Sequence, residues 1–90
     1  MQGRSMLPTL HPGDQVLVHP NAYRHRLPQQ GDIVLARHPH QGGLYLIKRI
    51  QSVVSDQYFL IGDNLSESTD SRVFRAVTLD LILGKVVSLF

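Results

Sequence analysis

Short apolar runs broken by dense turn signals dominate the chain. Pro8, Pro12-Gly13-Asp14, Pro20-Asn21, Gly31-Asp32, His38-Pro39, Gly42-Gly43 and Gly62-Asp63-Asn64 punctuate it. Between them lie segments rich in Val, Ile and Leu, and the pattern predicts strands over Gln15–His19, Asp32–Arg37, Leu44–Val54, Gln57–Ile61 and Leu83–Leu89. Gly42-Gly43 is expected to turn a hairpin between the second and third of these. No window holds a sustained helical period, and Thr78 is expected at most to cap one turn through Asp80–Ile82. Short strands at this spacing predict an all-β fold, a small sandwich or barrel of mostly antiparallel strands. The polar stretch from Gly62 to Arg72 reads as a long loop of the kind that carries function.

Length makes this one domain spanning residues 1–90, with a modest core. The chain has no cysteine, so no disulfide or thiolate metal site supplements that core. Its formal charge is only +2, and its densest basic cluster, Arg24-His25-Arg26, is too small for a nucleic-acid footprint. No apolar stretch reaches the roughly 18–20 residues that a membrane span requires, which points to a cytoplasmic protein, or a membrane-associated one if an anchor has been removed. His38-Pro39-His40 lacks a third ligand at metal-binding spacing, so neither a metal nor another cofactor is expected.

Candidate chemistry centres on serine and lysine. Alternation along the third strand puts Leu44, Leu46, Lys48 and Ile50 on one face and Tyr45, Ile47 and Arg49 on the other. A lysine among aliphatics is in poor solvent for its ammonium, which favours the neutral amine that a general base must be. The same pattern suits a lysine that snorkels to the sheet edge. Lys85, between Leu83 and Val87, has similar neighbours, so alternation leaves both lysines open. Ser5 lies between Gly3, which permits close backbone approach, and Pro8, which stiffens the chain after it.

Together these segments resemble the type I signal peptidase family of Ser/Lys peptidases. Gly3-x-Ser5-Met6-x-Pro8-Thr9-Leu10 with Gly13-Asp14 is similar to the family's nucleophile box, Gly31-Asp32-Ile33-Val34 to its next strand and Ile47-Lys48-Arg49-Ile50 to its lysine strand. Gly62-Asp63-Asn64, Ser68-x-Asp70-Ser71-Arg72 and Gly84-Lys85-Val86 resemble its remaining boxes. The resemblance implies Ser5 as nucleophile, Lys48 as general base and Ser68 as the hydroxyl that orients the lysine. It also implies Asp63, Asp70 and Arg72 as charges bracing the site, and leaves Lys85 structural.

Three departures accompany the match. Gly3 stands where some members have a second oxyanion donor. Arg75-Ala76-Val77-Thr78 replaces the usual Gly-x-Val-Pro. Only Gln51–Ile61 separates the lysine strand from the Gly-Asp-Asn box, where members usually insert a large β domain. A minimal chain of this kind resembles the soluble maturation proteases of nickel-type superoxide dismutase, which implies a precursor-protein substrate with a leader to remove. The alternative is the catalytic core of a signal peptidase or inner-membrane peptidase without its anchor.

Overall fold

The computed structural model describes residues 6, 9–10, 15–64 and 71–89. Its strands are β1 (Val16–His19), β2 (Ile33–Arg37), β3 (Tyr45–Val54), β4 (Gln57–Ile61), β5 (Val77–Thr78) and β6 (Ile82–Leu89), with one short helical turn, α1 (Ser71–Phe74), before β5. All pairings are antiparallel, and the strands join in the order β1-β6-β2-β3-β4-β5. The all-β expectation is borne out, with the described strands in one continuous sheet. Principal extents of 31 × 26 × 24 Å are too equal for a flat sheet about 10 Å thick, so the sheet is strongly twisted and its loops fold over it.

Two hairpins place β3 at the centre. Between β2 and β3 the expected glycine turn forms: the Leu44 N–H donates to the Gln41 carbonyl at 3.2 Å around Gly42-Gly43, with Gly43 at φ 83°. The loop runs from His38 to Leu44, closed by His38 N–H donating to the Leu44 carbonyl at 2.8 Å. Inside it the His38 Nδ1 accepts the N–H groups of His40 (3.0 Å) and Gln41 (3.1 Å). The His38 ring is buried edge-to-face on Phe74, centroids 4.9 Å apart. A buried imidazole acceptor thus braces the residues that lead into the Gly42-Gly43 turn. Between β3 and β4 the turn is Ser55-Asp56, with Ser55 at φ 56°, the left-handed geometry that matches strand twist in a two-residue hairpin.

One sheet face forms the core: Val34 and Ala36 from β2, Ile50 from β3, Tyr58 and Leu60 from β4, Phe74, Val77 and Ile82, with Tyr23, Leu46 and Leu81 packed against them. The turn anticipated at Thr78 is a 3₁₀ turn over Leu79–Leu81. Thr78 stands at its N-cap position, but its hydroxyl donates to the Asp80 carboxylate and makes no cap bond to the backbone.

The β1 strand crosses β6 at Gly84, where a Cβ would meet Val18 Cγ1 at 2.7 Å, the His19 carbonyl at 2.9 Å and Pro20 Cα at 3.1 Å. Two of these three are backbone positions that cannot step aside. Gly84→Ala is expected to destabilise the fold by about 1–3 kcal/mol, read as a lower urea midpoint at unchanged slope.

Candidate active site

Lys48 lies at the middle of β3 and is only 4% exposed. It pairs directly with Val34 on β2, and Val34 pairs on its other side with Lys85 of β6. Directly opposed residues project to the same face, so the two lysines flank Val34 in one row across three strands. Their surroundings separate them. The Lys85 ammonium stands 3.6 Å from Asp32 Oδ1, with about a third of its side chain exposed.

Asp32 also accepts the Tyr23 hydroxyl at 2.8 Å and the Gln29 N–H at 3.1 Å, which fixes the β1–β2 loop over the sheet. Burial first, and then the bond to Asp32, push the Tyr23 phenol well above its ordinary pKa, so it stays a donor to this carboxylate. Lys85 is therefore committed to bracing a loop, whereas Lys48 is almost wholly buried on the core face of the sheet. Among the described residues, no buried side-chain polar atom is left without a partner.

Beside Lys48, on the opposite face of the strand, Arg49 makes a bidentate pair with Asp63: Nε to Oδ1 at 2.8 Å and Nη2 to Oδ2 at 2.8 Å. Its remaining Nη1 donates to the Gly31 carbonyl at 3.0 Å. The Asp63 carboxylate also accepts the Thr9 hydroxyl, and the Asp63 N–H points to the Met6 sulfur at 3.4 Å.

The Leu10 N–H donates to the Met6 carbonyl at 2.9 Å, and Met6 and Leu10 are fully buried. Burying these two side chains contributes about 1.5–3 kcal/mol each. The segment that follows Ser5 is thus docked by an apolar pair and clamped by Asp63, and Asp63 is bolted to the strand that carries Lys48. Arg49 holds the Asp63 carboxyl below the usual carboxylate range; burial opposes this, and the Thr9 hydroxyl adds to the lowering. The same pair raises the Arg49 pKa.

Of the residues singled out in sequence, Lys48 and Asp63 fall into one neighbourhood, bridged by Arg49. Arg72 is exposed on α1. Ser5, Ser68 and Asp70 lie outside the described residues. Thr9, Met6 and Arg49 were missed as site residues, although all three stand inside the boxes that carried the resemblance. Their meaning depends on contacts 14 to 57 residues apart in sequence, which alternation does not register. Among the described residues, no group of three His, Cys, Asp or Glu side chains could hold a metal ion, and no helix is long and apolar enough to cross a membrane.

Comparison with known proteins accounts for the whole chain. The family described as "Signal peptidase, peptidase S26" matches residues 1–53 and 50–90. The two matched segments meet in the second half of β3, beside the Ser55-Asp56 hairpin. The mitochondrial ATP-independent inner membrane protease subunit 1b of Arabidopsis thaliana is 33% identical over 108 residues, covering 94% of this chain and 64% of that protein. The mitochondrial inner membrane protease subunit 1 of Saccharomyces cerevisiae is 35% identical over 86% of this chain and 35% of its own length. The human protein of the same name is 31% identical over 93% of this chain and 63% of its own length. The chain thus spans a third to two thirds of the length of these relatives. An alignment of 108 positions against 90 residues also means that the plant relative holds residues this chain lacks.

The Asp63 clamp has a pH signature. A carboxyl whose folded pKa is lowered contributes stability that is complete above its ordinary value, about 4, and is lost as pH falls through the lowered folded value. Asp63→Asn is expected to cost about 1–2 kcal/mol at neutral pH, a modest figure because 34% of the Arg49 side chain is exposed. It should also flatten the fall in stability below about pH 4. Urea unfolding of both proteins across that range measures this, and parallel acid limbs would show that Asp63 is not the titrating brace.

Proposed function

Because the chain belongs to the signal peptidase S26 family, we propose that it is a serine endopeptidase in which Ser5 is the nucleophile and Lys48 the general base, removing an amino-terminal leader from precursor proteins beside a membrane. The observation that carries this reading is the burial of Lys48 on the core face of the sheet, one residue from the Arg49–Asp63 pair that holds Thr9.

In the proposed cycle the Ser5 Oγ attacks the scissile carbonyl while its proton passes to the neutral Lys48 Nζ. The resulting ammonium returns that proton to the leaving amine as the C–N bond breaks, leaving an acyl ester on Ser5. Lys48 then takes a proton from the water that attacks the ester and delivers it to Ser5 Oγ as the acyl–oxygen bond breaks, which restores the serine hydroxyl and the neutral amine. The Ser5 N–H is assigned to the oxyanion. Ser68 orients the lysine, while Asp63 braces the site from the far side of β3, with Asp70 and Arg72 as further supports. Low exposure suits Lys48 to this task, since a medium of low polarity disfavours the ammonium and returns the base to its neutral form after each half-reaction.

The relatives bear on where and on what. Their names place them at an inner membrane and none mentions nickel superoxide dismutase, so they favour the second of the two substrate readings, a peptidase core of the membrane-associated kind. Nothing in them supports a cytoplasmic setting or the narrower nickel-enzyme precursor. The proposal assigns residues 1–90 to one peptidase unit with no metal in its chemistry.

Cleavage of a panel of leader-bearing precursors, one of them a nickel superoxide dismutase precursor, tests this directly. Ser5→Ala and Lys48→Ala are each expected to lower kcat/KM by on the order of 10³-fold or more. Absence of cleavage across the panel, or undiminished cleavage by either variant, would remove the reading. Activity is expected to be unchanged in excess EDTA; loss that added metal restores would overturn the metal-free mechanism.

A further inference from the structure

A cavity of about 480 Å³ opens at the end of the sheet away from β1, lined by His40, Gln57, Phe59, Phe74, Arg75 and Ala76. Its floor is aromatic, and Phe74 is locked in place by the edge-to-face contact with His38. His40 reaches it because the His38 acceptor ties down the β2–β3 loop.

Arg75 is the unusual member. Its backbone has φ 71°, in the left-handed region that an L residue enters at a cost of about 1–2 kcal/mol and that glycine enters freely. The resembling family pattern has glycine at this position, so the chain keeps the glycine geometry while carrying a guanidinium there. No described residue hydrogen-bonds or ion-pairs with that guanidinium. An exposed cation retained against backbone strain, over a preformed aromatic floor, is complementary to a carboxylate next to an apolar side chain.

We infer that this cavity is a recognition subsite for a polypeptide carrying a glutamate or aspartate next to a large apolar residue, with Arg75 taking the carboxylate and Phe59 and Phe74 the apolar group. Resting on the assignment of Lys48 as base, the inference extends to position along the substrate. Phe59 pairs with Ser52, four residues beyond Lys48 on β3. Phe59 alternates with the core residues Tyr58 and Leu60, on the face opposite Lys48 and beyond the bulge at Ile50/Ser52, so the subsite engages the substrate away from the scissile bond.

Binding is measured without reference to catalysis. N-acetyl-Phe-Glu-amide and N-acetyl-Phe-Gln-amide are titrated into the protein while the backbone amide signals of Phe59 and Ala76 are followed by NMR. The glutamate peptide is expected to bind about fivefold more tightly, the scale of one solvent-exposed ion pair. Arg75→Gly should erase that preference while the melting temperature holds or rises, because strain is relieved. Arg75→Lys should keep the preference. Equal affinities in the native protein, or a preference that survives Arg75→Gly, would overturn the inference.

In a second arm, glutamate is moved along a peptide that the enzyme cleaves, and kcat/KM is expected to peak at one position removed from the cut. A flat profile would refute the subsite's placement. Failure of the native protein to cleave any peptide would count against the peptidase reading alone, since the binding arm reads the subsite independently.

Discussion

Asp63 is the point on which the site depends. Its carboxylate accepts two bonds from Arg49 and one from Thr9, and its own N–H meets the Met6 sulfur. A carboxylate engaged from several sides by a planar guanidinium and a hydroxyl fixes direction as well as distance. Through it, three pieces of chain remote in sequence share one frame: Met6 and Thr9, the start of the loop after β4, and the strand bearing Lys48. Arg49 extends that frame to the Gly31 carbonyl at the entry to β2. Met6 and Thr9 are thus held by Asp63, on the other face of the sheet from Lys48.

The sheet supplies the complementary condition. Strand alternation sends Lys48 and Arg49 to opposite faces of β3, so one strand buries a lysine on the core face and presents a guanidinium to a carboxylate on the other. The row Lys48–Val34–Lys85 shows how finely the surroundings divide two residues of the same type. Next to Asp32 a lysine becomes part of a loop brace with Tyr23. One strand beyond Val34, with 4% exposure, it is enclosed by the core face. The proposed chemistry draws on that contrast in burial and partners.

Much of the architecture was legible because it is local. Alternation in Tyr45–Val54 and the turn signals around it located five strands to within a residue or so. The two-residue β5 and the single turn α1 escaped, being too short to show a period. Alternation could not choose between Lys48 and Lys85, because the deciding partner, Asp32, is held in place by the fold. Gly42-Gly43 does turn the hairpin, but the buried histidine acceptor that braces the residues before it was not legible, because its bonds depend on the folded loop. The Arg49–Asp63–Thr9 clamp was hidden for the same reason: its members attract no notice singly and meet only when β3, the loop after β4 and the start of the chain are brought together. Arg75 marked a departure from a glycine pattern, yet only the backbone reveals that the glycine conformation was kept.

The central claim is that a serine positioned by the Asp63 clamp forms the acyl intermediate. Rapid quench of the protein with an activated peptide ester, followed by mass spectrometry of the digested chain, locates and times the acyl group. The account predicts a single acyl adduct on Ser5 that forms more slowly in Asp63→Asn under conditions where that variant is fully folded. An adduct on any other residue, or acylation of Ser5 at the same rate in Asp63→Asn, would contradict it.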